Sequence, residues 1–258
     1  MIRLIASDID GTLLQRGATE IPQEVFEAIR ELKQRGIYFC AASGRRYDSL
    51  RELFAPVIDD IYFLCEGGAI VYGPGKDPEV LAKFSMDKAK ACELVTDVLQ
   101  REDCEVQCSG ENYCYLLVRN PAHMDAIMVY FKPDSIRVDS PYDIPEDIIK
   151  MAVFCENGIR TMVDDLYAKL DPSFFGAISA PCWSDITGST KGIGLTALCR
   201  RLDIPLSDVM AFGDNHNDVS MLDIVGYPRL MEGGAEELLS RYPICENVPA
   251  MIRREVLK

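Results

Sequence analysis

Asp8-Ile9-Asp10-Gly11-Thr12 places two carboxylates two residues apart. If the backbone stays extended through the pair, both side chains point the same way. Carboxylates aimed at one spot repel unless a cation or a shared proton intervenes. Gly11 permits a turn that a side chain would obstruct, and Thr12 adds a hydroxyl. Read alone, the segment also fits an acidic surface turn. A second acidic cluster, Gly213-Asp214-Asn215-His216-Asn217-Asp218, offers Asp214 to complete a Mg2+ site, since that ion takes a few oxygen ligands and keeps several waters. Asn217 and Asp218 fall one turn further on, near a helix start, where N-capping is their alternative use. Neither cluster is a calcium loop. Counting from Asp8 puts Leu13 and Thr19 where a glycine and a bidentate Glu belong, and counting from Asp214 puts Val219 and Val225 there.

Two further groups suit a phosphate beside these carboxylates. Lys191, in Ser189-Thr190-Lys191-Gly192, is a compact cation able to offset accumulating negative charge; on its own such a lysine is a solvated surface charge. Ser43-Gly44-Arg45 offers a hydroxyl and backbone N–H groups at a helix start, a combination that grips phosphate oxygens. Arg46 reads as a surface charge, His216 as an outward residue and His123 as a residue without a functional role.

The elements around these residues give them a common address. Short, nearly continuous apolar runs at 2–7, 37–42, 61–65 and 209–212 read as strands buried on both faces. Helices are expected over 22–35, opened by Pro22 and closed by Gly36, over 48–54 and over 191–202. Strands separated by helices pair in parallel, and open parallel sheets bind ligands at the carboxyl ends of their strands. Asp8, Ser43 and Asp214 each follow directly on such a strand. Between the two halves the order is less regular. A turn-rich stretch at 73–78 reads as a linker. It is followed by helices over 86–100, 122–131 and 161–169 and strands over 113–118, 151–155 and 174–179. The fold expected is α/β, a Rossmann-like parallel-sheet core from both chain ends (1–80 and 183–258) with an inserted α+β domain (81–182). Trp183, the only tryptophan, is assigned to packing at the domain junction.

Bulk properties narrow the partners. A formal net charge of −14 repels nucleic acid and anionic lipid, so neither is expected as a partner, and a phosphate site must bring its own cations. The apolar start carries Arg3 and ends at Asp8, unlike a secretory leader, and no apolar stretch is long enough to span a bilayer. A cytoplasmic protein with reduced thiols follows. Cys104, Cys108 and Cys114 lack the paired spacing of a zinc site, and neither histidine completes a tetrahedral set with them.

The ordered set resembles the haloacid dehalogenase superfamily of phosphotransferases over essentially the whole chain. Asp8-Ile9-Asp10-Gly11-Thr12 is similar to its first motif, Ala42-Ser43-Gly44-Arg45 to the second, Lys191-Gly192 to the third and Gly213-Asp214-Asn215-His216-Asn217-Asp218 to the fourth. An insertion between the second and third motifs resembles the class IIB cap of Cof-type phosphatases. Two departures stand out: Gly67-Gly68-Ala69 where Asn-Gly-Ala is common, and Met231-Glu232-Gly233-Gly234-Ala235 where Met-Gly-Asn-Ala is usual. The resemblance implies hydrolysis of a small-molecule phosphate ester through an aspartyl-phosphate. In it Asp8 is the nucleophile and Asp10 the acid and base. Mg2+ sits on Asp8, Asp214 and the Asp10 carbonyl. Ser43 and Lys191 hold phosphoryl oxygens, joined on the substrate side by Gly44, Arg45 and Asn217, and Asp218 orients Lys191 or a metal-bound water. Sugar phosphates lead the candidate substrates, ahead of nucleotides and pyridoxal phosphate. The inserted domain is expected to select the leaving group, with the turn 109–112 and Tyr113 as candidate contacts. A phosphosugar mutase of the same architecture and a non-catalytic sugar-phosphate-binding regulator are the alternatives.

Overall fold

The computed structural model describes residues 1–15, 17–124, 127 and 135–257, and the chain divides into two compact units, 1–83 with 190–258, and 84–189. In the first unit, strand β1 (Leu4–Ser7) is buried along its whole length, as its unbroken apolar run demands. It lies between β2 (Tyr38–Ala42) and β12 (Val209–Gly213), parallel to both, with Leu4 opposite Tyr38 on one side and Val209 on the other. The sheet runs outward through β3 (Tyr62–Cys65), β4 (Ile70–Tyr72) and β5 (Val80–Lys83) at one end. At the other it ends in β13 (Tyr227–Met231) and β14 (Ile244–Cys245). Successive strands therefore leave β1 in opposite directions, and a crevice opens at such a reversal, outside the carboxyl ends of the strands. Helix Gln23–Gln34 buries Val25, Phe26, Ala28, Ile29 and Leu32, one face at helical spacing. Helix Lys191–Leu202 lays Leu195 and Leu198 against Leu4, Ala6, Leu64 and Ala211 of the sheet.

The parallel core is as the apolar runs predict, but it carries an antiparallel margin: β3 pairs antiparallel with β4, and β4 with β5. The stretch expected as an interdomain linker is the turn between β4 and β5, closed by Gly73 N–H donating to the Glu79 carbonyl at 2.9 Å. Gly and Pro signal a reversal of the chain wherever it occurs, so their density could not distinguish a linker from a turn within one sheet.

The second unit holds a six-stranded sheet in the order β10-β11-β9-β6-β7-β8: β6 Cys104–Ser109, β7 Cys114–Leu117, β8 Ile136–Arg137, β9 Lys150–Cys155, β10 Phe175–Ala180 and β11 Trp183–Thr187. Helices Lys88–Val98 and Val163–Ala168 cover one face through Val95, Leu166, Val106 and Met151. On the other face Trp183 is buried among Leu116, Val118, Ala152 and Phe154, its ring 5.2 Å from that of Phe154. The tryptophan assigned from sequence to the junction packs in the core of this unit, on β11 directly opposite Phe154 of β9. Of the helix expected over 122–131, residues 125, 126 and 128–131 lie outside the described residues.

His123, read from sequence as idle, is 3% exposed and ion-paired. Its Nδ1 meets Glu105 Oε1 at 2.9 Å and its Nε2 faces Glu156 Oε2 at 3.2 Å, while Glu105 also accepts the backbone N–H groups of Arg119 and Asn120. Burial works against a charged imidazole here, and the hydrogen bonds to Glu105 and Glu156 outweigh it, so its pKa is raised. A raised histidine contributes stability that is complete below its unfolded value of about 6.5 and is lost as pH rises through the folded value. Relative to His123→Gln, the native protein is therefore expected to melt at a higher temperature under mildly acidic conditions. That margin should narrow steadily above neutral pH; a margin independent of pH in thermal melts would remove the charge from the account.

Candidate active site

Four loops from distant parts of the chain meet at the carboxyl ends of β1, β2 and β12. Asp8 continues β1, with its N–H donating to the Phe212 carbonyl at 2.9 Å, which ties it to β12. The chain then turns tightly on Ile9, whose carbonyl accepts N–H groups from Thr12, Leu13 and Leu14. Gly11 sits in the left-handed region at φ 93°, and a Cβ there would overlap Asp214 Oδ2. Glycine is thus required twice over, by conformation and by the approach of Asp214. Gly11→Ala is expected to push the Asp214 carboxylate aside and lower turnover about 100-fold or more, the penalty of a displacement near 1 Å in a catalytic group. Steady-state kinetics on a variant with native-like circular dichroism checks it.

Lys191 is the hub. It is 1% exposed, and its Nζ donates to Asp8 Oδ1 and Asp218 Oδ1, each at 2.5 Å. The Thr190 hydroxyl caps the helix that Lys191 opens by accepting the Ile193 N–H. Gly68, at φ 101°, lets the neighbouring loop pass so close that a Cβ would overlap the Thr190 carbonyl. The unusual Gly67-Gly68 pair thus retains the one glycine that this approach needs. Asp218 is fully buried, and its second oxygen accepts the N–H groups of Asp214 at 2.9 Å and Asn215 at 3.1 Å. One carboxylate therefore shapes the loop that carries Asp214 and also fixes the lysine.

Asp8, Asp214 and Asp218 have carboxylate oxygens within 4.8 Å of one another, all on buried residues. Three formal negative charges against the one ammonium leave a surplus of two. Burial pushes the Asp8 pKa up to about 7 against the pull of Lys191, and the Asp218 and Asp214 carboxylates add to the rise. For Lys191, burial lowers the pKa, but Asp218 and Asp8 more than reverse it, so the ammonium keeps its proton. Asp8 Oδ2 and Thr12 Oγ1 are buried without a hydrogen-bond partner among the described residues. An all-oxygen donor set, an orphaned carboxylate oxygen and a deficit of two positive charges fit a hard divalent cation such as Mg2+.

Not every residue singled out from the sequence joins this cluster. The side chain of Asp10 is half-exposed and bound through both oxygens by Arg45, from Nη2 at 2.5 Å and Nε at 2.8 Å. Arg45, read as a phosphate grip, thus spends its fork on Asp10. Ser43 is 1% exposed and its Oγ accepts the Arg45 N–H at 3.2 Å, so the serine shapes the loop holding that arginine. Gly44 lies between them in the same bend. Asn217 is exposed, and the capping role considered for it belongs to Asn215, whose Oδ1 accepts the His216 N–H at 2.8 Å. Sequence reasoning missed the support beneath Asp214. Its carbonyl accepts the Ala235 N–H at 2.8 Å, and a Cβ on Gly234 would come within 2.6 Å of that carbonyl. The sequence signal for it is Gly234, the glycine of the Gly233-Gly234 pair that this approach requires.

Residues 5–244 match the family model of haloacid dehalogenase-like hydrolases. A 5-amino-6-(5-phospho-D-ribitylamino)uracil phosphatase of Escherichia coli (strain K12) is 28% identical over 249 residues, covering 93% of this chain and 88% of the relative. Among solved structures, a haloacid dehalogenase-like hydrolase from B. subtilis superimposes with a TM-score of 0.84 at 20% identity, covering 99% of this chain and 100% of that one. A subclass IIB sugar phosphatase of the same superfamily gives 0.81 at 20% identity, with 98% of each chain covered.

Proposed function

The chain belongs to the haloacid dehalogenase-like hydrolase family and is a phosphatase of small phosphorylated substrates, and from that premise we propose a Cof-type, Mg2+-dependent monoesterase working through an aspartyl-phosphate on Asp8. The observation that carries this reading is the Asp8 carboxylate itself: one oxygen is fixed by Lys191 and the other is buried with no partner among the described residues. Asp8, Asp214 and the backbone carbonyl of Asp10 would hold the Mg2+, which supplies charge neutralisation at the phosphoryl oxygens.

The chain's own groups account for the rest. An Asp8 oxygen attacks phosphorus in line as the ester P–O bond breaks, and the departing oxygen takes its proton from Asp10. Asp10 then removes a proton from water, and that water attacks the acyl phosphate to release inorganic phosphate and restore Asp8. Arg45 holds Asp10 at two points as the carboxylate that takes the water proton, and one of those contacts opens when Asp10 carries the proton it donates. Lys191 stays protonated and offsets charge on the phosphoryl group, with Asp218 fixing its position. Ser43, whose Oγ accepts the Arg45 N–H, would donate its hydroxyl hydrogen to a phosphoryl oxygen, and Asn217 would contact the substrate.

The leaving group we favour is a phosphorylated sugar or polyol, in line with the names of the ribityl-phosphate and sugar-phosphate relatives. Nucleotides and pyridoxal phosphate are its competitors. Choice among them is assigned to the inserted unit, residues 84–189. A cytoplasmic setting accords with ten cysteines that form no disulfide. The test is a panel of phosphorylated metabolites assayed with Mg2+ and with a chelator. Mg2+-dependent release of inorganic phosphate, with the highest kcat/KM on a sugar or polyol phosphate, is expected. Isomerised sugar phosphate without phosphate release makes the protein a mutase, and binding without any turnover makes it a regulator.

A further inference from the structure

The structure assigns a second metal site, for a thiophilic cation of the zinc type, to Cys104, Cys155 and Asp103 in the inserted unit. Cys104 on β6 stands directly opposite Cys155 on β9. Glu156 N–H donates to the Asp103 carbonyl at 2.9 Å, so the pair 103/156 is the hydrogen-bonded one. The pair 104/155 is then the non-hydrogen-bonded one, where antiparallel side chains come closest. Both cysteines are fully buried, yet neither thiol simply fills apolar space. Cys104 Sγ lies 3.6 Å from Asp103 Oδ1, and Cys155 Sγ lies 3.5 Å from Asp103 Oδ2. The donor atoms of all three residues fall within 4.8 Å of one another.

Each thiol stands from one oxygen of Asp103 at the sulfur–oxygen spacing of a tetrahedral ion, so the carboxylate needs only to turn one of its oxygens toward both. With metal–sulfur bonds near 2.3 Å and metal–oxygen bonds near 2.1 Å, tetrahedral angles set sulfur and oxygen roughly 3.6 Å apart. A fourth donor comes within reach in Met162, whose Sδ is 3.3 Å from Cys104 Sγ and moves outward by about 0.5 Å to the roughly 3.8 Å that two sulfurs keep on one tetrahedral ion. Three sulfurs and a carboxylate form a soft set that favours zinc-like over magnesium-like ions. Arg101 holds both oxygens of Asp103, at 3.1 and 2.9 Å, and Asn157 holds one at 3.0 Å, the kind of outer support that ligating carboxylates show. The charges also close. A divalent cation displaces one proton from each thiol, and two thiolates, one carboxylate and the Arg101 guanidinium then sum with it to zero. Asp103 is the one partly exposed ligand, at 19%, and provides the route of entry. Linking adjacent strands, the ion would brace the inserted unit independently of the Asp8 site.

The experiment uses the full chain, reduced and stripped of metal, with excess Mg2+ to occupy the carboxylate site. Titration with Co2+ should give an intense thiolate-to-cobalt charge-transfer band saturating at one equivalent and bleached by Zn2+. Cys104→Ser and Cys155→Ser should each weaken or abolish the band, and Asp103→Asn should weaken binding by at least about tenfold while keeping it. Cys199→Ser, in the other unit, should leave it unchanged. Because a serine variant in this core can misfold, X-ray absorption of the Zn2+-loaded native protein gives an independent reading, with at least two sulfur neighbours near 2.3 Å expected. An all-oxygen shell, no thiolate band, or a band that survives both cysteine substitutions overturns the site.

Discussion

Asp8→Asn is expected to eliminate phosphate release, by on the order of 10⁶-fold, the scale on which removal of a catalytic nucleophile acts. The amide keeps the shape of the carboxylate but cannot form the acyl phosphate. Stability should not suffer. In the native cluster Asp8, Asp214 and Asp218 face the one ammonium of Lys191, and removing one carboxylate halves the surplus negative charge while Asp218 retains its grip on the lysine. Without divalent metal the variant should therefore melt no lower than the native protein, and added Mg2+ should raise its melting temperature by less. Acid-quenched native enzyme should carry a covalent phosphoryl group that the variant lacks. Turnover within about tenfold of the native rate would reassign the nucleophile.

Lys191→Ala attacks the same cluster from the other side and should be damaging in both respects. The lysine is buried with two carboxylates at 2.5 Å, and removing one member of a buried ionic set leaves uncompensated charge worth about 3 to 5 kcal/mol. In a chain of this size that is a fall of roughly 10 °C in melting temperature. Loss of a preorganised charge at the phosphoryl oxygens adds a drop in kcat of about 10²- to 10³-fold. The signature that separates this variant from a generally weakened core is its response to metal. With the surplus raised from two negative charges to three, Mg2+ should stabilise Lys191→Ala by more degrees than it stabilises the native protein. Equal shifts in thermal melts would show that the lysine does not balance the carboxylates.

Much of the catalytic unit was legible because its strands are buried on both faces and so leave unbroken apolar runs. β1, β2, β3 and β12 all fall on such runs, and helix Lys191–Leu202 begins and ends where expected. The polar residues that follow those runs stand at strand ends for the same reason. What escaped notice depends on partners that a single chain order does not display. β6 reads Cys-Glu-Val-Gln-Cys-Ser. Its Glu105 is buried only because it finds His123 and two backbone N–H groups eighteen or fewer positions away. Arg45 and Asp10 were both singled out, but their preference for each other is a matter of reach and rotamer, which spacing does not encode. The pairing of Cys104 with Cys155 is likewise a fact of strand register, whereas closeness in sequence groups Cys104 with Cys108 and Cys114.

The central place of β1 has a consequence for how the protein is made. Its first neighbour, β2, follows within a few dozen residues, but its second, β12, pairs Val209 with Leu4 across a separation of about 205 residues. At ribosomal speeds of roughly 5 to 20 residues per second, β12 is completed about 10 to 40 s after β1. For that interval the strand leading to Asp8 has one edge open, with an apolar run on both faces, the form of exposed strand most prone to joining another chain. The strand that carries Asp8 is synthesised long before the strand that encloses its second edge.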